Sequence, residues 1–179
     1  MTSSKQSDKR PKPGTAPVAA AVIVMAASVV AYWEGYRPTG YADPVGIPTV
    51  CWGHTGPDVR VGMVKSLEEC TETLNKDLMT AARAVARCVT QPLSVGQAAS
   101  FVSFTFNVGG RAFCGSTLVR LFNEGKEKAA CEQMYRWVFA KGVRLRGLER
   151  RRVSEVSMCL YGFWTPPDGR TPPSPLGKS

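Results

Sequence analysis

The feature that most limits how this chain can fold is residues 15–31, a run of 17 residues without a charged side chain. The run reads TAPVAAAVIVMAASVVA, and residues 1–14 before it carry four basic side chains and one acidic one. A basic segment followed by an apolar one is the layout of an export signal. Three interpretations stay open: a cleaved signal peptide, a membrane anchor, or a helix buried in a core. The basic flank favours the first two.

As a helix, this run would be roughly 25 Å long at about 1.5 Å per residue, shorter than the roughly 30 Å hydrocarbon core of a bilayer. Alanine and serine make up about half of it, and such small side chains gain little from lipid. The sequence therefore predicts a marginal anchor. Cleavage after Ala31 would place Glu34 third in the mature chain, on a fraying terminus.

Composition narrows the class of protein and its partners. With 179 residues, of which 44% are apolar, the chain can bury one ordinary core. The net charge of +9 favours a polyanionic partner. Nucleic acid is not expected, because the sequence lacks a zinc-finger pattern, a basic helix with heptads and an RRM-type signature. A single histidine and the absence of a CxxC pair argue against a metal site, so we expect neither metal nor cofactor.

Cysteine usage depends on whether the chain is exported. An even count suits disulfides in an oxidising space, whereas buried free thiols are the alternative in a cytosolic protein. Six cysteines permit 15 pairings, and the sequence does not choose among them. We predict one pair, Cys114–Cys131, because these two flank a single predicted helix. The cysteines are Cys51, Cys70, Cys88, Cys114, Cys131 and Cys159.

Two acids and a threonine surround a predicted turn just after the apolar run. Asp43 follows Glu34 by nine positions and Thr49 follows Asp43 by six, with the turn-rich GYRPTGYADPVG before the β-branched IPTVCW. This pattern predicts a helix end that leads into a β-hairpin. Such a layout can bring both carboxylates and the hydroxyl into one cleft. Two carboxylates cleave a glycosidic bond when one donates a proton and the other activates water or stabilises the sugar cation.

The spacing alone is weak evidence, and the flanking motifs decide the interpretation. They are YWEG, Y-x-DP-x-G, PT-x-C-x-GHTG, FTFNVGGRAFCGSTLVRLFNEG and YRWVFAKGVRLRGLERRRVSE. In this order, over residues 32–161, they resemble the phage-type lysozymes of glycoside hydrolase family 24. The resemblance implies an α+β, lysozyme-like fold with a small β-hairpin lobe, a mainly helical lobe and an N-terminal hydrophobic helix.

The resemblance also implies roles for single residues. Glu34 matches the family's general acid, Asp43 its second catalytic carboxylate, and Thr49 the residue that helps to hold the attacking water. Whether Asp43 acts as nucleophile or general base stays open. His54 resembles a histidine that forms a structural ion pair with a helix carboxylate, here Asp77, rather than a catalytic base.

Three further residues are candidates for a substrate rim, and none is assigned from sequence. Asn107 lines the cleft or is an architectural residue at the end of a helix. Arg146 and Arg150, four positions apart, form either a basic rim for a substrate with peptide carboxylates or a solvated helix face.

The helical lobe shows local signals. Ser66 with Glu69 three positions later has capping-box spacing, and the stretch SVGQAASFVSFTFNV predicts a helix buried on most sides. A glycine pair ends that helix, and Ser116 or Thr117 begins the next one. The predicted apolar stripe of the helix after Ser66 is Leu67, Cys70, Leu74 and Leu78.

By resemblance, the chain is an endolysin, a monomeric lysozyme that hydrolyses the β-1,4 bond between N-acetylmuramic acid and N-acetylglucosamine in peptidoglycan. Residues 15–31 resemble signal-anchor-release segments, which use the host export machinery, hold the enzyme inactive in the inner membrane and later release it to the periplasm. The predicted organisation is a basic cytoplasmic-side tail (1–14), a signal anchor (15–31), a catalytic domain (32–164) and a Pro-rich flexible tail (165–179). Because residues 15–31 contain no cysteine and Asp43 is not one, activation by thiol exchange is not expected.

Two other functions stay open. A lytic transglycosylase needs one acid and no residue to position water, so the presence of Asp43 and Thr49 argues against it. A non-catalytic, membrane-anchored wall-binding protein would not need Glu34, Asp43 and Thr49 together.

Overall fold

The structure is a computed structural model that describes residues 15–43 and 45–168. The predicted tail 1–14, and residues 169–179 of the predicted tail 165–179, lie outside the described residues. The helices are α1 (Thr15–Glu34), α2 (Leu67–Cys88), α3 (Val95–Val108), α4 (Gly110–Cys114), α5 (Thr117–Asn123), α6 (Glu127–Glu132) and α7 (Arg146–Tyr161), with a 3-10 helix at Gln133–Arg136. The strands are β1 (Arg37–Ala42), β2 (Pro48–Cys51), β3 (His54–Thr55), β4 (Phe139–Ala140) and β5 (Val143–Arg144).

The hairpin predicted after Glu34 is present and forms a small lobe. Strands β1, β2 and β3 make an antiparallel sheet in that order, with Tyr41 opposite Thr49 and Val50 opposite His54. A second, two-stranded hairpin, β4–β5, immediately precedes α7. Together with the helices, these sheets confirm the predicted α+β class.

The helical lobe is built around α3, whose buried residues include Phe101 and Phe104. Their rings contact Phe113 of α4, and the ring of Phe101 also contacts Phe122 of α5 edge-on at 5.1 Å. Helix α2 packs against α3 and α4, and its first half also contacts the small sheet. The prediction of a central buried helix is therefore confirmed.

Helix ends follow their local capping signals. Ser66 caps α2 in a reciprocal capping box with Glu69, and Ser94 does the same for α3. Helix α3 stops before Gly109, which has a φ of 86°. Ser116 accepts a hydrogen bond from the N–H of Val119 and so begins α5 as predicted. Leu67 is the exception in the predicted apolar stripe of α2: it is 50% exposed, because it lies in the first turn outside the core.

The second half of α1 lies in the core. Ala26, Ala27, Val29 and Val30 are each 0% exposed, and α1 packs against α3, α2 and α7. A buried helix was the interpretation of residues 15–31 that the basic flank favoured least, yet it describes these four residues in the structure. Their small side chains allow the helices to approach closely. Among the described residues, no helix is both long enough and apolar enough to span a membrane.

All six cysteines form disulfides, and the predicted pair Cys114–Cys131 is wrong. Cys114 at the end of α4 instead joins the last residue of α2, where the Cα–Cα distance is 5.4 Å. Cys131 joins α7. The prediction failed because α5 and the first part of α6, rather than a single helix, separate Cys114 from Cys131, and each of these two cysteines faces another helix. The bonds are Cys51–Cys70, Cys88–Cys114 and Cys131–Cys159.

Candidate active site

Glu34 is the last residue of α1, at the point where the chain leaves the helical core for the small sheet. Its side chain is 24% exposed. The next residue, Gly35, has a φ of 71°, a left-handed conformation that glycine adopts without strain. Because the buried part of α1 ends only three residues earlier, at Ala31, the packing of this helix fixes the position of the Glu34 carboxylate.

A buried arginine holds one oxygen of that carboxylate. The guanidinium of Arg151, on α7, donates from Nη1 to Oε1 of Glu34, and its Nε donates to Glu155 at 3.1 Å. Arg152 donates to the other oxygen of Glu155 and to Oδ1 of Asn107. The charges alternate along the chain of contacts from Glu34 to Arg152, which compensates their burial. We call these four charged residues the charge network.

Burial and charge act in opposite directions on the two arginines of this network. Desolvation acts to lower the pKa of Arg151, but the charges of Glu155 and Glu34 outweigh it, and its pKa lies above the ordinary value. For Arg152, desolvation dominates over the attraction of Glu155, and the pKa lies below the ordinary value. The guanidinium of Arg152 also lies 4.8 Å from the ring centroid of Phe104, a cation–π contact.

The other oxygen of Glu34 faces the small sheet at Gly53. A Cβ added at Gly53 would lie 3.0 Å from Oε2 of Glu34, closer than most Cβ contacts. Gly53 also has a φ of 78°. Glycine is therefore required here both for the backbone conformation and for the close approach of the carboxylate. The two oxygens of Glu34 thus have different surroundings, one in the charge network and one beside the hairpin.

Asp43 is held by its own loop. Its Oδ1 accepts hydrogen bonds from the N–H groups of Val45 and Ile47, each at 2.8 Å. The Asp43 N–H in turn donates to the carbonyl of Ile47 at 3.0 Å. These bonds fix the direction of the carboxylate through residues only two and four positions away.

Thr49 is linked to Asp43 through the same backbone residue. The Thr49 hydroxyl donates to the carbonyl of Ile47 at 3.0 Å, while the Ile47 N–H donates to Asp43. Thr49 lies in β2 and is 4% exposed. Because its proton is directed to Ile47, the hydroxyl oxygen keeps lone pairs that can accept a hydrogen bond from water.

His54 contacts carboxylates on both sides. Its Nδ1 lies 2.7 Å from Oδ2 of Asp77 on α2, and its Nε2 lies 3.4 Å from Oδ1 of Asp58. The side chain is 17% exposed. Both ring nitrogens therefore face acidic groups: Asp77 joins the small sheet to α2, and Asp58 lies in the loop that follows β3.

The candidate rim residues lie in different places. Asn107 is exposed at the end of α3 and accepts from Arg152, so it joins the charge network rather than standing apart. Arg146 and Arg150 are exposed in the first turns of α7. Arg150 lines a cleft with Trp164, on the segment that follows α7.

The sequence interpretation missed the importance of three buried charged residues of α7: Arg151, Arg152 and Glu155. Arg151 and Arg152 are 3% and 0% exposed, and Glu155 is 0% exposed. Their burial had one sequence signal, the i,i+4 and i,i+3 spacing to Glu155.

The geometry gives the two carboxylates different chemical capacities. Glu34 lies at the edge of a buried charge network, where one oxygen is bound and the other faces the hairpin. Asp43 lies in a hydrogen-bonded loop, with a buried hydroxyl tied to the same backbone. A pair of carboxyl groups is what a glycosidase requires, one as acid and one as ionised partner.

Comparison with known proteins gives concordant results. The family model described as phage lysozyme matches residues 31–155. The chain is 42% identical over 129 residues to a SAR-endolysin of Bacteriophage PS119, which covers 72% of this chain and 77% of that protein. The muramidase domain of SpmX from Asticaccaulis excentricus superimposes with a TM-score of 0.70 and 33% identity, over 75% of this chain and 94% of that one. For an endolysin from Escherichia coli O157:H7 phage FAHEc1, the TM-score is 0.74 at 28% identity, over 79% and 94% of the two chains.

Proposed function

Because this chain belongs to the phage lysozyme family, we propose that it cleaves the β-1,4 bond between N-acetylmuramic acid and N-acetylglucosamine, with Glu34 as the general acid. The chain is an endolysin, a muramidase that hydrolyses peptidoglycan. The observation that carries the proposed role of Glu34 is the division of its carboxyl group: Arg151 binds Oε1, and Oε2 approaches Gly53.

In this mechanism, the proton resides on Oε2 of Glu34, because Oε1 accepts from Arg151. The proton passes from Oε2 to the glycosidic oxygen as its bond to the sugar carbon breaks. The carboxylate that results stays paired with Arg151, whose positive charge is already in place and needs no reorganisation. Arg151 thus orients the acid before the reaction and compensates its charge afterwards.

Asp43 is the second carboxylate of the proposed mechanism. It stays ionised and faces the positive charge that develops on the sugar ring, either as nucleophile or as the base that takes a proton from water. The two N–H groups on Oδ1 hold it in one direction. Thr49 accepts a hydrogen bond from the attacking water. Its hydroxyl oxygen can do so because its own proton is donated to the carbonyl of Ile47.

The other predicted residues receive supporting roles in this proposal. His54 and Asp77 form a structural pair between the small sheet and α2, supported by their separation of 2.7 Å. Asn107 terminates the charge network through Arg152. Arg146 and Arg150 are surface residues at the start of α7.

Product analysis on purified peptidoglycan tests the proposed reaction. We expect new reducing ends on N-acetylmuramic acid, because water completes the cleavage. Anhydromuramic ends would instead identify a lytic transglycosylase and remove the water-holding role of Thr49. Binding without soluble products would identify a non-catalytic wall-binding protein.

The proposal extends to control by the membrane. Similar proteins such as that of Bacteriophage PS119 are named SAR-endolysins, and residues 15–31 resemble signal-anchor-release segments. We place the tethered enzyme in the host inner membrane, with its N-terminus cytoplasmic and its catalytic domain periplasmic. Because Glu34 ends α1 and meets Arg151 only when α1 packs on α3 and α7, an α1 held in lipid leaves the site incomplete.

Strengthening the exposed half of α1 tests this control. Ala20 and Ala21 are exposed, whereas Ala27 is 0% exposed and a larger side chain there would overpack the core. The double variant Ala20→Leu and Ala21→Leu adds about 2 kcal/mol of membrane affinity per site. We expect it to remain in the inner-membrane fraction after depolarisation and to leave cells intact. In the control, the same positions carry glutamine.

Two outcomes would contradict the membrane proposal while leaving the enzyme assignment in place. Normal lysis by a leucine variant that stays membrane-bound would show that release is not needed. A chain that begins at Tyr32, measured by mass spectrometry of the intact protein, would identify a cleaved signal peptide.

A further inference from the structure

The last turn of α1 carries Glu34, the proposed acid, beyond the buried part of the helix. That part ends at Ala31, whereas Tyr32, Trp33 and Glu34 are half-buried. Gly35, in a left-handed conformation, donates its N–H to the carbonyl of Ala31 at 3.3 Å, which is long for such a bond. Helix ends of this kind fray readily. The position of Glu34 therefore also depends on what the side chains of this last turn contact.

Aromatic rings pack together at this turn. The ring of Tyr32 lies edge-on to the ring of Trp33, with 5.0 Å between the centroids, and edge-on to the ring of Trp164, with 5.4 Å between them. Trp33 and Trp164 also pack against the hydrophobic core. Edge-to-face contacts of this kind are favourable beyond the apolar area that they bury. Trp164, which lies beyond α7, therefore joins the end of α1 to the core.

Trp164 reaches α1 because the chain turns back where α7 ends. The helix stops before Gly162, which has a φ of 79° and donates its N–H to the carbonyl of Met158 at 3.0 Å. This turn lies directly against α3, since a Cβ added at Gly96 would be 2.6 Å from the Cα of Gly162. The contact between the two glycines fixes the point from which the chain continues to Trp164.

The segment after this turn lies alongside α7 rather than projecting from its end. Trp164 and Pro167 line a cleft of about 310 Å³ together with Arg150 and other residues of α7 that precede the helix end. The next residue of the helix, Arg151, binds the carboxyl group of Glu34. The end of α1 is thus held in two ways, by an arginine of α7 at the carboxyl group and by the segment after α7 at the ring of Tyr32.

We propose that Trp164 is a positioning residue for the reaction: by holding the ring of Tyr32, it keeps the last turn of α1 formed and the carboxyl group of Glu34 in place. Arg151 binds that carboxyl group directly, whereas Trp164 acts on it through the backbone of the helix. This inference rests on the proposed function, because Glu34 must be the acid. A displacement of about 1 Å at a reacting group can lower a rate roughly 10²-fold.

The test removes the ring of Trp164 and measures kcat and KM on purified peptidoglycan, well below the melting temperature of each variant. For Trp164→Ala, we expect kcat to fall roughly tenfold with KM unchanged, because the acid is displaced while the substrate still binds. The matched control, Phe163→Ala, removes an exposed ring of the same segment that faces Tyr161 at 6.3 Å, and should keep the wild-type kcat. A normal kcat in Trp164→Ala, or an equal fall in both variants, would overturn the proposal.

Further variants separate positioning from stability. Trp164→Phe keeps an aromatic ring and loses no hydrogen bond, because the indole N–H of Trp164 has no partner among the described residues. This variant should recover most of the lost kcat. Tyr32→Leu should lower kcat as Trp164→Ala does, and the double variant should lose no more than either one, since both changes break the same contact. Additive losses would show that Trp164 acts by another route and would contradict the positioning role.

Hydrogen exchange reports the displacement directly. In Trp164→Ala, the amides of Glu34 and Gly35 should exchange faster, whereas the amides of α3 should keep their wild-type protection. A loss of protection throughout the protein would assign a merely structural role to the ring, and the proposal would fail. Failure of the proposed function gives a different result: if Glu34→Gln hydrolyses peptidoglycan at the wild-type rate, Glu34 is not the acid, whatever the effect of Trp164→Ala.

Discussion

The two carboxylates of the site are held by different parts of the molecule. Glu34 is fixed by Arg151, a residue 117 positions away, and by the packing of α1 against α3 and α7. Asp43 is fixed by the backbone of Val45 and Ile47 in its own loop. The Asp43 half of the site therefore forms together with the hairpin, whereas the Glu34 half forms only when the whole domain has assembled. In the membrane control that we propose, Glu34 is therefore the residue most directly affected.

The largest effect is expected where the acid itself is changed. Glu34→Gln keeps the size of the side chain and an oxygen for Arg151 but cannot donate the catalytic proton. Hydrolysis should fall by about 10²–10⁴-fold, while the circular dichroism spectrum stays that of the folded protein. The melting temperature should fall, because the neutral amide leaves the buried Arg151 with Glu155 as its remaining anionic partner in the charge network. Substantial residual lysis would remove Glu34 from the role of acid.

A second prediction breaks the long-range support of Glu34 and leaves the acid in place. Arg151→Met leaves Glu155 and Glu34 without their shared cation, so we expect a loss of about 3–5 kcal/mol in the free energy of unfolding and roughly 10²-fold in activity. The exposed neighbour gives a control, because Arg150→Met should change stability by less than about 0.5 kcal/mol.

Hydrogen exchange in the same variant sharpens the comparison. The amides of Val45 and Ile47 should stay as protected in Arg151→Met as in the wild-type protein, because their bonds to Asp43 are local. Loss of their protection would mean that the two halves of the site are not independent.

A third prediction addresses the Asp43 half. Thr49→Val removes the hydroxyl that we propose holds the attacking water. It should lower kcat by roughly 10–10²-fold, the effect of one hydrogen bond to a charged or reacting group. The hairpin should remain folded, as seen from unchanged protection of the Ile47 amide. Thr49→Ser restores the hydroxyl and should recover most of the activity. If serine fails to do so, the methyl group and its packing explain the effect instead.

The smallest effect is expected at the contact between the two halves. Gly53→Ala and Gly62→Ala both place a side chain at positive φ, which costs about 1–2 kcal/mol. Only the Cβ at Gly53 would meet Oε2 of Glu34, since nothing lies within 4 Å of the one at Gly62. We therefore expect Gly53→Ala to lose at least as much stability as Gly62→Ala, and a roughly tenfold lower kcat for Gly53→Ala alone. Equal activities would show that Oε2 tolerates displacement.

Local features of the fold were predictable from sequence. Ser66 and Glu69, and also Ser116, mark helix starts with side chains that bind their own helix backbone, so a short stretch contains the whole signal. The stop at Gly109 is also a local signal, because a glycine adopts the positive φ that ends the helix. The candidate residues Glu34, Asp43 and Thr49 came from motifs around a turn, which are also local in sequence.

Features that depend on tertiary packing were not predictable in this way. Arg150 is exposed and Arg151 is 3% exposed, although they are neighbours of the same type in a run of three arginines. Burial at Arg151 depends on Glu34, which lies far away in the sequence. The cysteine pairing failed for the same reason, because Cys114 faces Cys88 on a different helix.

The apolar run shows how one composition fits two surroundings. Ala26 and Ala27 are small enough for close packing of α1 in the core, where each is 0% exposed. The same small side chains make the run a weak match for lipid. Hydropathy alone therefore could not choose between the two, and the basic flank shifted the prediction towards the membrane.

The disulfides have a consequence for how the chain matures. Their loops do not interleave: Cys51 pairs with Cys70, Cys88 with Cys114 and Cys131 with Cys159, so each cysteine joins the next one along the chain. A chain whose cysteines reach the oxidising side in sequence order can close each loop before the following pair appears. Vectorial oxidation then yields the native set directly, whereas oxidation of the complete chain must select it from 15 pairings.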